Sequence, residues 1–129
     1  MPLVRIELSK KYSESFAQQV GDIIYQIMRE QINVPDDDKF QIIARHDLAE
    51  FNIPKSYLGI EYSEGIIFIQ ATISFGRSTE LKKGLYKAIC ETLVQKLKVR
   101  PQDIFINLIE VNKENWSFGN GEMQYADKD

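Results

Sequence analysis

Apolar residues recur with two different periods along the chain. From Leu3 to Leu8 they alternate with charged residues, which predicts a half-buried strand. From Ser13 onward they recur at three- and four-residue steps, which predicts an amphipathic helix that ends before Pro35. A second stripe of this kind, Leu81 to Leu97, predicts a second helix that ends before Pro101.

Three other segments predict strands. Phe40 to His46 follows the first helix, although its length and period leave the type of element open. Ile66 to Ile73 is almost continuously apolar and β-branched, which is typical of a strand covered on both faces. Ile104 to Val111 follows the second helix. The chain is therefore expected to run strand-helix-strand twice.

The two remaining segments have mixed polarity. Residues 47–64 contain Pro54 and Gly59, with a short extended piece at Tyr57 to Tyr62, and are expected to link the two units and to shape a pocket rim. Residues 112–129 contain two glycines and three aromatic residues. Such a tail has too many apolar residues to stay fully exposed to solvent, and its pattern is too interrupted for a helix. This favours a segment that docks on the domain or covers a site as a lid.

The two strand-helix-strand units are similar in sequence. A shift of 65 positions (99 minus 34) places Val34 on Val99, and it also places Asp38 on Asp103. Strands and turns fall into the same frame as the helices, which favours a repeat. The predicted organisation is one domain, residues 1–129, with a pseudo-repeat of residues 1–64 and 65–111 and a tail of residues 112–129.

Each unit contains a helix long enough to cross over a sheet and return the chain parallel. The two units predict an α/β (α+β) fold, a four-stranded, mainly parallel sheet with two helices on one face. The other face would be bare although it also carries apolar residues such as Phe68. The simplest cover is further copies of the chain, so we expect a homo-oligomer.

Composition narrows the class of protein. A chain of 129 residues with 43% hydrophobic residues suits one globular domain. Sixteen Lys and Arg against nineteen Asp and Glu, without a basic run, argue against a nucleic-acid partner. Charged residues near the start and the absence of a long apolar run predict a cytoplasmic protein without a membrane contact. Cys90 is the only cysteine and His46 the only histidine of the sequence. An internal disulfide is therefore excluded, and a Cys/His metal site would need residues of another subunit.

Four motifs stand in a specific order. Met1-Pro2 leads directly into a strand, a Val-Pro-x-x-Asp turn spans Val34 to Asp38, Gly76-Arg77-Ser78 lies at the second strand-helix junction, and Trp116-Ser117-Phe118-Gly119 lies near the end. With these motifs nearly the whole chain resembles the tautomerase superfamily, most closely its malonate semialdehyde decarboxylase branch. The resemblance implies a tautomerase/macrophage-migration-inhibitory-factor-like fold, a homotrimer, no metal or organic cofactor, and an active site around a proline exposed by removal of Met1.

The resemblance assigns catalytic roles to Pro2, Asp38 and Arg77. An α-amino group has a pKa near ~8, and partial desolvation beside cations lowers it, so a neutral Pro2 amine could take a proton at pH 7. Arg77 would pin a substrate carboxylate by a bidentate pair. Asp38 would hydrogen-bond the proline nitrogen or orient a water. The plainer interpretations stay open: a proline that favours methionine removal, a surface arginine and a solvated turn.

The expected substrate-binding residues are Arg77, Phe75, Trp116, Phe118 and Tyr125. The aromatic tail residues would form an apolar wall, or would only anchor the tail on the core. The decarboxylase branch carries two arginines separated by one residue at the end of the third strand, and here Phe75 replaces the first. His46 receives no catalytic role, because a single histidine in or after a strand is more often structural.

The replacement by Phe75 favours a small carboxylate substrate with an apolar end. Keto-enol tautomerisation of a 2-oxo acid such as phenylpyruvate is therefore the expected reaction, with Pro2 as the acid/base group. One alternative is a malonate semialdehyde decarboxylase or hydratase type of activity, in which a protonated Pro2 acts as an acid. The other is a non-catalytic trimeric ligand-binding module.

Overall fold

The computed structural model describes residues 2–126. Its regular elements, in chain order, are β1 (Pro2–Ser9), α1 (Glu14–Ile32), β2 (Phe40–His46), β3 (Ser56–Tyr57), β4 (Ile60–Glu61), β5 (Ile67–Ser74), α2 (Thr79–Leu97) and β6 (Ile104–Val111). The predicted bounds of β2 and β6 are those of the structure, whereas β5 begins and ends one residue later than expected. The extended piece in the linker is the small antiparallel hairpin of β3 and β4.

Both helices are capped in the same way. Ser13 and Ser78 precede α1 and α2, and each hydroxyl accepts a hydrogen bond from the backbone N–H three residues later, at 3.0 and 3.1 Å. Asn33 and Lys98 end the helices in the left-handed conformation, with φ of 57° and 59°. Within residues 2–126 no helix is long and apolar enough to cross a membrane.

The two β-α-β units correspond closely. Both helices have 19 residues, and their first residues are 65 positions apart (79 minus 14). The strands β1 and β5 both have eight residues and are offset by the same 65 positions (67 minus 2). The pseudo-repeat expected from the sequence therefore corresponds to two copies of one strand-helix-strand unit.

The four long strands form one sheet in the order β2-β1-β5-β6. The outer pairs are parallel, with Leu3 opposite Phe40 and Ile73 opposite Glu110, while the central pair is antiparallel, with Pro2 opposite Ile73. Each β-α-β unit is thus parallel within itself and meets the other unit in the antiparallel direction. This confirms the predicted four-stranded, mainly parallel sheet.

The core lies between the sheet and the two helices. Alternate strand residues such as Val4, Ile6 and Ile69 are fully buried together with Ile24 and Leu85 of the helices. Each such side chain contributes about 1.5–3 kcal/mol through burial. The helices therefore cover the same face of the sheet, as predicted.

The other face of the sheet carries exposed apolar side chains. Phe40 and Ile42 on β2 are 47% and 44% exposed, and Phe105 and Ile109 on β6 are 42% and 40% exposed. Their registers place all four side chains opposite to the buried row that faces the helices. Covering both faces of β5, as its sequence predicts, therefore needs something other than the helices of the same chain.

A buried carboxylate, that of Asp103, lies at the edge of the sheet where β1 ends. Asp103 is 2% exposed and accepts hydrogen bonds from the Ser63 backbone N–H at 2.9 Å and from Arg100 Nη1 at 3.2 Å. The Tyr12 hydroxyl donates to the Gly65 carbonyl at 2.6 Å, and burial, followed by the charge of Asp103, raises the pKa of Tyr12. This network joins the linker to the start of β6.

Candidate active site

Four segments of the chain meet at the opposite edge of the sheet. β1 begins at Pro2, and the parallel strand β2 begins beside it at Phe40. Because β5 is antiparallel to β1, it ends at this same edge, at Ser74, and its parallel neighbour β6 ends there at Val111. The fold therefore brings Pro2, the turn before β2, the junction of β5 with α2 and the start of the tail to one edge.

Pro2 is the first residue of β1 and is buried. It lies opposite Ile73, which in turn lies opposite Glu110 on β6. Two strand spacings separate the backbones of Pro2 and Glu110, which is about 10 Å. Met1, whose removal the family resemblance implies, lies outside the described residues.

Arg77 follows a tight turn after β5. The backbone N–H of Phe75 donates to the Val111 carbonyl at 2.8 Å, which continues the ladder with β6 by one residue. Gly76 then adopts φ of 123°, a conformation that favours glycine. Arg77 Nη1 donates to the Ser74 carbonyl at 2.8 Å, so the guanidinium is fixed to the end of β5 by one of its five donors.

Asp38 lies in the turn that leads into β2. The backbone N–H of Asp38 donates to the Pro35 carbonyl at 3.2 Å. The Tyr25 hydroxyl lies 3.1 Å from the same carbonyl and thereby ties the turn to α1. The side chain of Asp38 is half-buried and interacts electrostatically with Tyr125 of the tail.

The tail forms an aromatic cluster. The rings of Trp116 and Phe118 are stacked with centroids 5.4 Å apart, and Tyr125 meets Phe118 edge-on at 4.7 Å. The Gln124 side chain closes the intervening turn, because its amide accepts from the Phe118 N–H and donates to the Gly119 carbonyl, both at 2.9 Å. The indole N–H of Trp116 is buried and meets no acceptor among residues 2–126.

A family model described as "Tautomerase enzyme" matches residues 38–119, which is more than half of the chain. The chain belongs to the tautomerase family. It is 42% identical over 124 residues to the probable tautomerase YusQ of Bacillus subtilis (strain 168), an alignment that covers 96% of this chain and 98% of that protein.

Solved structures agree with this assignment. The FG41 malonate semialdehyde decarboxylase inhibited by 3-bromopropiolate is 30% identical, with a TM-score of 0.89 over 98% of this chain and 95% of that one. The tautomerase therefore lies in the malonate semialdehyde decarboxylase-like branch and is an isomerase or a related enzyme. A fused 4-OT, solved as a symmetric trimer, shares the fold at 16% identity, with a TM-score of 0.77 over 96% of this chain and 98% of that one.

The expected site residues of the tautomerase differ in how they are placed at the edge where β1 begins. Pro2, Asp38 and Arg77 belong to three segments that meet at the same edge, and Tyr125 of the tail interacts electrostatically with Asp38. Phe75 also lies at this edge, but its side chain is 73% exposed and projects away from the core of the single chain. A separate cavity of about 350 Å³, lined by Leu48, Phe51, Tyr62 and others, adjoins the linker and the start of β5 instead.

Sequence reasoning missed two charged residues of the tautomerase at this edge, Glu110 and Lys82. Lys82 Nζ lies 2.5 Å from Glu110 Oε1, and the Gly76 N–H donates to Glu110 Oε2 at 3.4 Å. The hydrogen bond from Lys82 is the main cause that lowers the pKa of Glu110, and the charge of Arg77 lowers it further. A signal was present, because Glu110 continues the inward-facing row of Ile104, Ile106 and Leu108, where another apolar residue is expected.

The edge offers no evident metal site. Among residues 2–126, no three His, Cys, Asp or Glu side chains come together in a way that could hold a metal ion. His46 lies at the other end of β2, where its Nε2 atom is 3.0 Å from Glu7 Oε1. The groups available for chemistry at the candidate site are an amine, a guanidinium, carboxylates and aromatic rings.

Proposed function

We propose that this tautomerase interconverts the enol and keto forms of a 2-oxo acid such as phenylpyruvate, with Pro2 as the acid/base group and without a metal or organic cofactor. The observation that carries the proposal is the convergence of Pro2, Asp38 and Arg77 at one edge of the sheet, beside the aromatic tail. These groups supply a base, a carboxylate-binding cation and an apolar surface, which is the set that such a substrate needs.

Pro2 moves the proton in this proposal. With Met1 removed, its nitrogen is a secondary amine, and in this proposal burial and the positive charge of Arg77 at the same edge lower the pKa of that amine. The neutral amine takes the proton from the enol hydroxyl, and the electrons of that O–H bond form the carbonyl. The C=C electron pair then takes the proton back from the ammonium at carbon, so the amine is regenerated.

Arg77 holds the substrate carboxylate. Its guanidinium is anchored to Ser74 through a single hydrogen bond, which leaves the paired donors of a bidentate contact for the substrate. Asp38 assists the transfer by accepting a hydrogen bond from the proline nitrogen or by orienting a water. Fixing the carboxylate and the base relative to each other supplies the positional part of catalysis.

Aromatic side chains receive the far end of the substrate. Trp116 and Phe118 form a stacked pair that is continuous with Tyr125, and Tyr125 interacts electrostatically with Asp38. The exposed ring of Phe75 adds apolar surface on the Arg77 side. An aromatic or aliphatic group on the substrate would be desolvated there, which strengthens the charge interactions inside the site.

The working form is a homotrimer in this proposal. The sheet face opposite the helices exposes Phe40, Ile42, Phe105 and Ile109, an apolar surface that further copies of the chain would bury. A structure of this fold, the fused 4-OT, is a symmetric trimer. Assembly would also enclose the edge at which Phe40 lies beside Leu3.

Decarboxylation or hydration of malonate semialdehyde is the second candidate. The 30% identity to the FG41 malonate semialdehyde decarboxylase, over nearly the full length of both chains, favours it. In this reaction a protonated Pro2 acts as an acid toward the substrate carbonyl. Phe75 argues for the first candidate, because an aromatic ring offers nothing to a substrate without an apolar end.

A parallel assay of two substrates decides between the candidates. Protein shown by mass spectrometry to lack Met1 is given enol-phenylpyruvate, followed by ultraviolet absorbance, and malonate semialdehyde, followed by NMR. We expect a kcat/KM on the order of 10⁴ M⁻¹s⁻¹ or more for the enol and a much lower value for the aldehyde. The reverse order would establish the second candidate, and no turnover of either would reject both.

A further inference from the structure

A fixed ion pair lies beside the proposed carboxylate-binding arginine. Lys82, in the first turn of α2, and Glu110, at the end of β6, are 2.5 Å apart, and their side chains are 25% and 24% exposed. The pair is therefore partly shielded from solvent, where charges interact more strongly than on the open surface. Both elements end or begin at the edge of Pro2 and Arg77.

The second oxygen of Glu110 faces the loop that carries Arg77. It accepts the N–H of Gly76 at 3.4 Å, directly before Arg77 in the chain. The hydrogen bond from Lys82, and further the charge of Arg77, keep the pKa of Glu110 below its ordinary value, so the carboxylate is ionised at neutral pH. The charge of Lys82 is thus matched by that of Glu110, which leaves the guanidinium of Arg77 for the substrate.

We propose that Glu110 is a specificity-determining residue that restricts this site to substrates with one carboxylate. The inference rests on the proposed function of Arg77 as the carboxylate clamp and defines the substrate class further. A second carboxylate on a substrate held by Arg77 would be repelled by the charge of Glu110, which is bonded to the residue directly before Arg77, and Lys82, already paired, could not compensate. A 2-oxo monocarboxylate with an apolar end meets no such repulsion.

A purely structural role of Glu110 makes a different prediction. If its carboxylate served only to hold Gly76, its removal would disturb Arg77 and weaken all carboxylate substrates alike. Glu110→Gln separates the two roles, because glutamine retains an oxygen that can accept the Gly76 N–H but has no charge. The decisive quantity is the ratio of kcat/KM for a dicarboxylate to kcat/KM for a monocarboxylate. A uniform loss of activity toward both substrates leaves this ratio unchanged.

The test compares the wild type, Glu110→Gln and a matched control. Glu91→Gln makes the same chemical change in the exposed pair of Lys87 and Glu91, further along α2, where the two charges are 3.8 Å apart. For each protein, kcat/KM is measured with enol-phenylpyruvate and with the enol of oxaloacetate, a 2-oxo dicarboxylate. We expect the dicarboxylate-to-monocarboxylate ratio to rise about tenfold in Glu110→Gln and to stay constant in Glu91→Gln.

A second variant separates repulsion by Glu110 from attraction by a released lysine. In the double variant Lys82→Met, Glu110→Gln, no cation becomes available, so a gain caused by the loss of the Glu110 charge should persist at about tenfold over the wild type. A gain that disappears in the double variant would show that the released Lys82 causes it and would overturn the role of Glu110. A ratio in Glu110→Gln within twofold of the wild type would overturn the inference.

Equilibrium binding keeps this test separate from the proposed reaction. Dissociation constants of phenylpyruvate and 2-oxoglutarate are measured by calorimetry for the same proteins. If neither enol is turned over but the binding ratio shifts about tenfold in Glu110→Gln, the reaction is wrong and the specificity role stands. If both enols are turned over without a shift, the reaction stands and the role is wrong. Absence of saturable binding of both acids to every variant would also refute the role.

Discussion

Tyr125 of the tail and Asp38 of the turn before β2 interact electrostatically, although they are 87 positions apart in the chain (125 minus 38). Burial is the main cause that raises the pKa of Tyr125, and the negative charge of Asp38 raises it further. The tail therefore comes close enough to the edge where β1 and β2 begin for the Asp38 charge to act on the Tyr125 phenol. This interaction relates the aromatic cluster of the tail to the candidate catalytic residues.

Alkaline pH should weaken the interaction of Tyr125 with its surroundings, because the phenol becomes charged. The raised pKa of Tyr125 means that the folded state favours the neutral phenol. The associated stability is fully present below the ordinary tyrosine pKa of about 10 and is lost as pH rises through the folded value. Between pH 8 and pH 11 the wild type should therefore lose more unfolding free energy than Tyr125→Phe, measured by urea denaturation. The exposed Tyr57→Phe is the control, and equal losses in all three proteins would contradict the contact.

Replacement of Arg77 should weaken carboxylate substrates. Arg77→Ala removes the proposed bidentate partner, and we expect kcat/KM for enol-phenylpyruvate to fall about 100-fold, mostly through a higher KM. Lys87→Ala removes an exposed cation from the middle of α2 and should leave both constants unchanged. Steady-state kinetics of the two variants check this. An unchanged KM in Arg77→Ala would exclude the clamp.

The elements of the fold were largely predictable because their signals are local. Phe40–His46 and Ile104–Val111 have their predicted bounds, since each strand follows a proline-containing turn after a helix. The apolar stripe that begins at Leu81 predicts the start of α2 two residues too late. A stripe shows only the residues that face the core, whereas the cap at Ser78 determines where the helix begins. The offset of 65 positions between the units leaves a signal in the sequence because similar residues, such as Val34 and Val99, recur at that offset.

The arrangement of the site was only partly predictable. The topology brings the segments of Pro2, Asp38 and Arg77 to one edge, and this follows from two parallel units that meet antiparallel. The electrostatic interaction of Tyr125 with Asp38 depends on the approach of distant segments, which leaves no periodic signal. The pairing of Lys82 with Glu110 leaves only a weak one, a single charged residue in an apolar row of β6.

The buried carboxylate at the other edge should matter for stability and not for catalysis. Asp103→Asn removes the negative charge that accepts a hydrogen bond from Arg100. It also disturbs the hydrogen bonds that Asp103 accepts from Ser63, including the one from the Ser63 hydroxyl at 2.5 Å. We expect the free energy of unfolding to fall by about 2–3 kcal/mol, measured by urea denaturation. Asp47→Asn, which breaks the exposed pair with Lys10, should cost less than about 1 kcal/mol. A loss of kcat/KM in folded Asp103→Asn would contradict this division.

The exposed sheet face should control assembly. Ile42→Glu places a charge among the apolar residues that we expect further copies to bury, so sedimentation analysis should show the trimer replaced by monomer. Tyr86→Glu makes a comparable change on the partly exposed surface of α2 and should leave the trimer intact. Trimers of equal stability in both variants, or a wild type that is monomeric, would reject the proposed assembly.

The free amine of Pro2 is the central claim, and its direct test is the activity of the same protein with and without Met1. An amide nitrogen has no basicity, so protein that retains Met1 should lose at least about 100-fold in kcat/KM for enol-phenylpyruvate, with unchanged circular dichroism. Mass spectrometry verifies both preparations. Equal turnover by the two preparations would show that Pro2 is not the acid/base group.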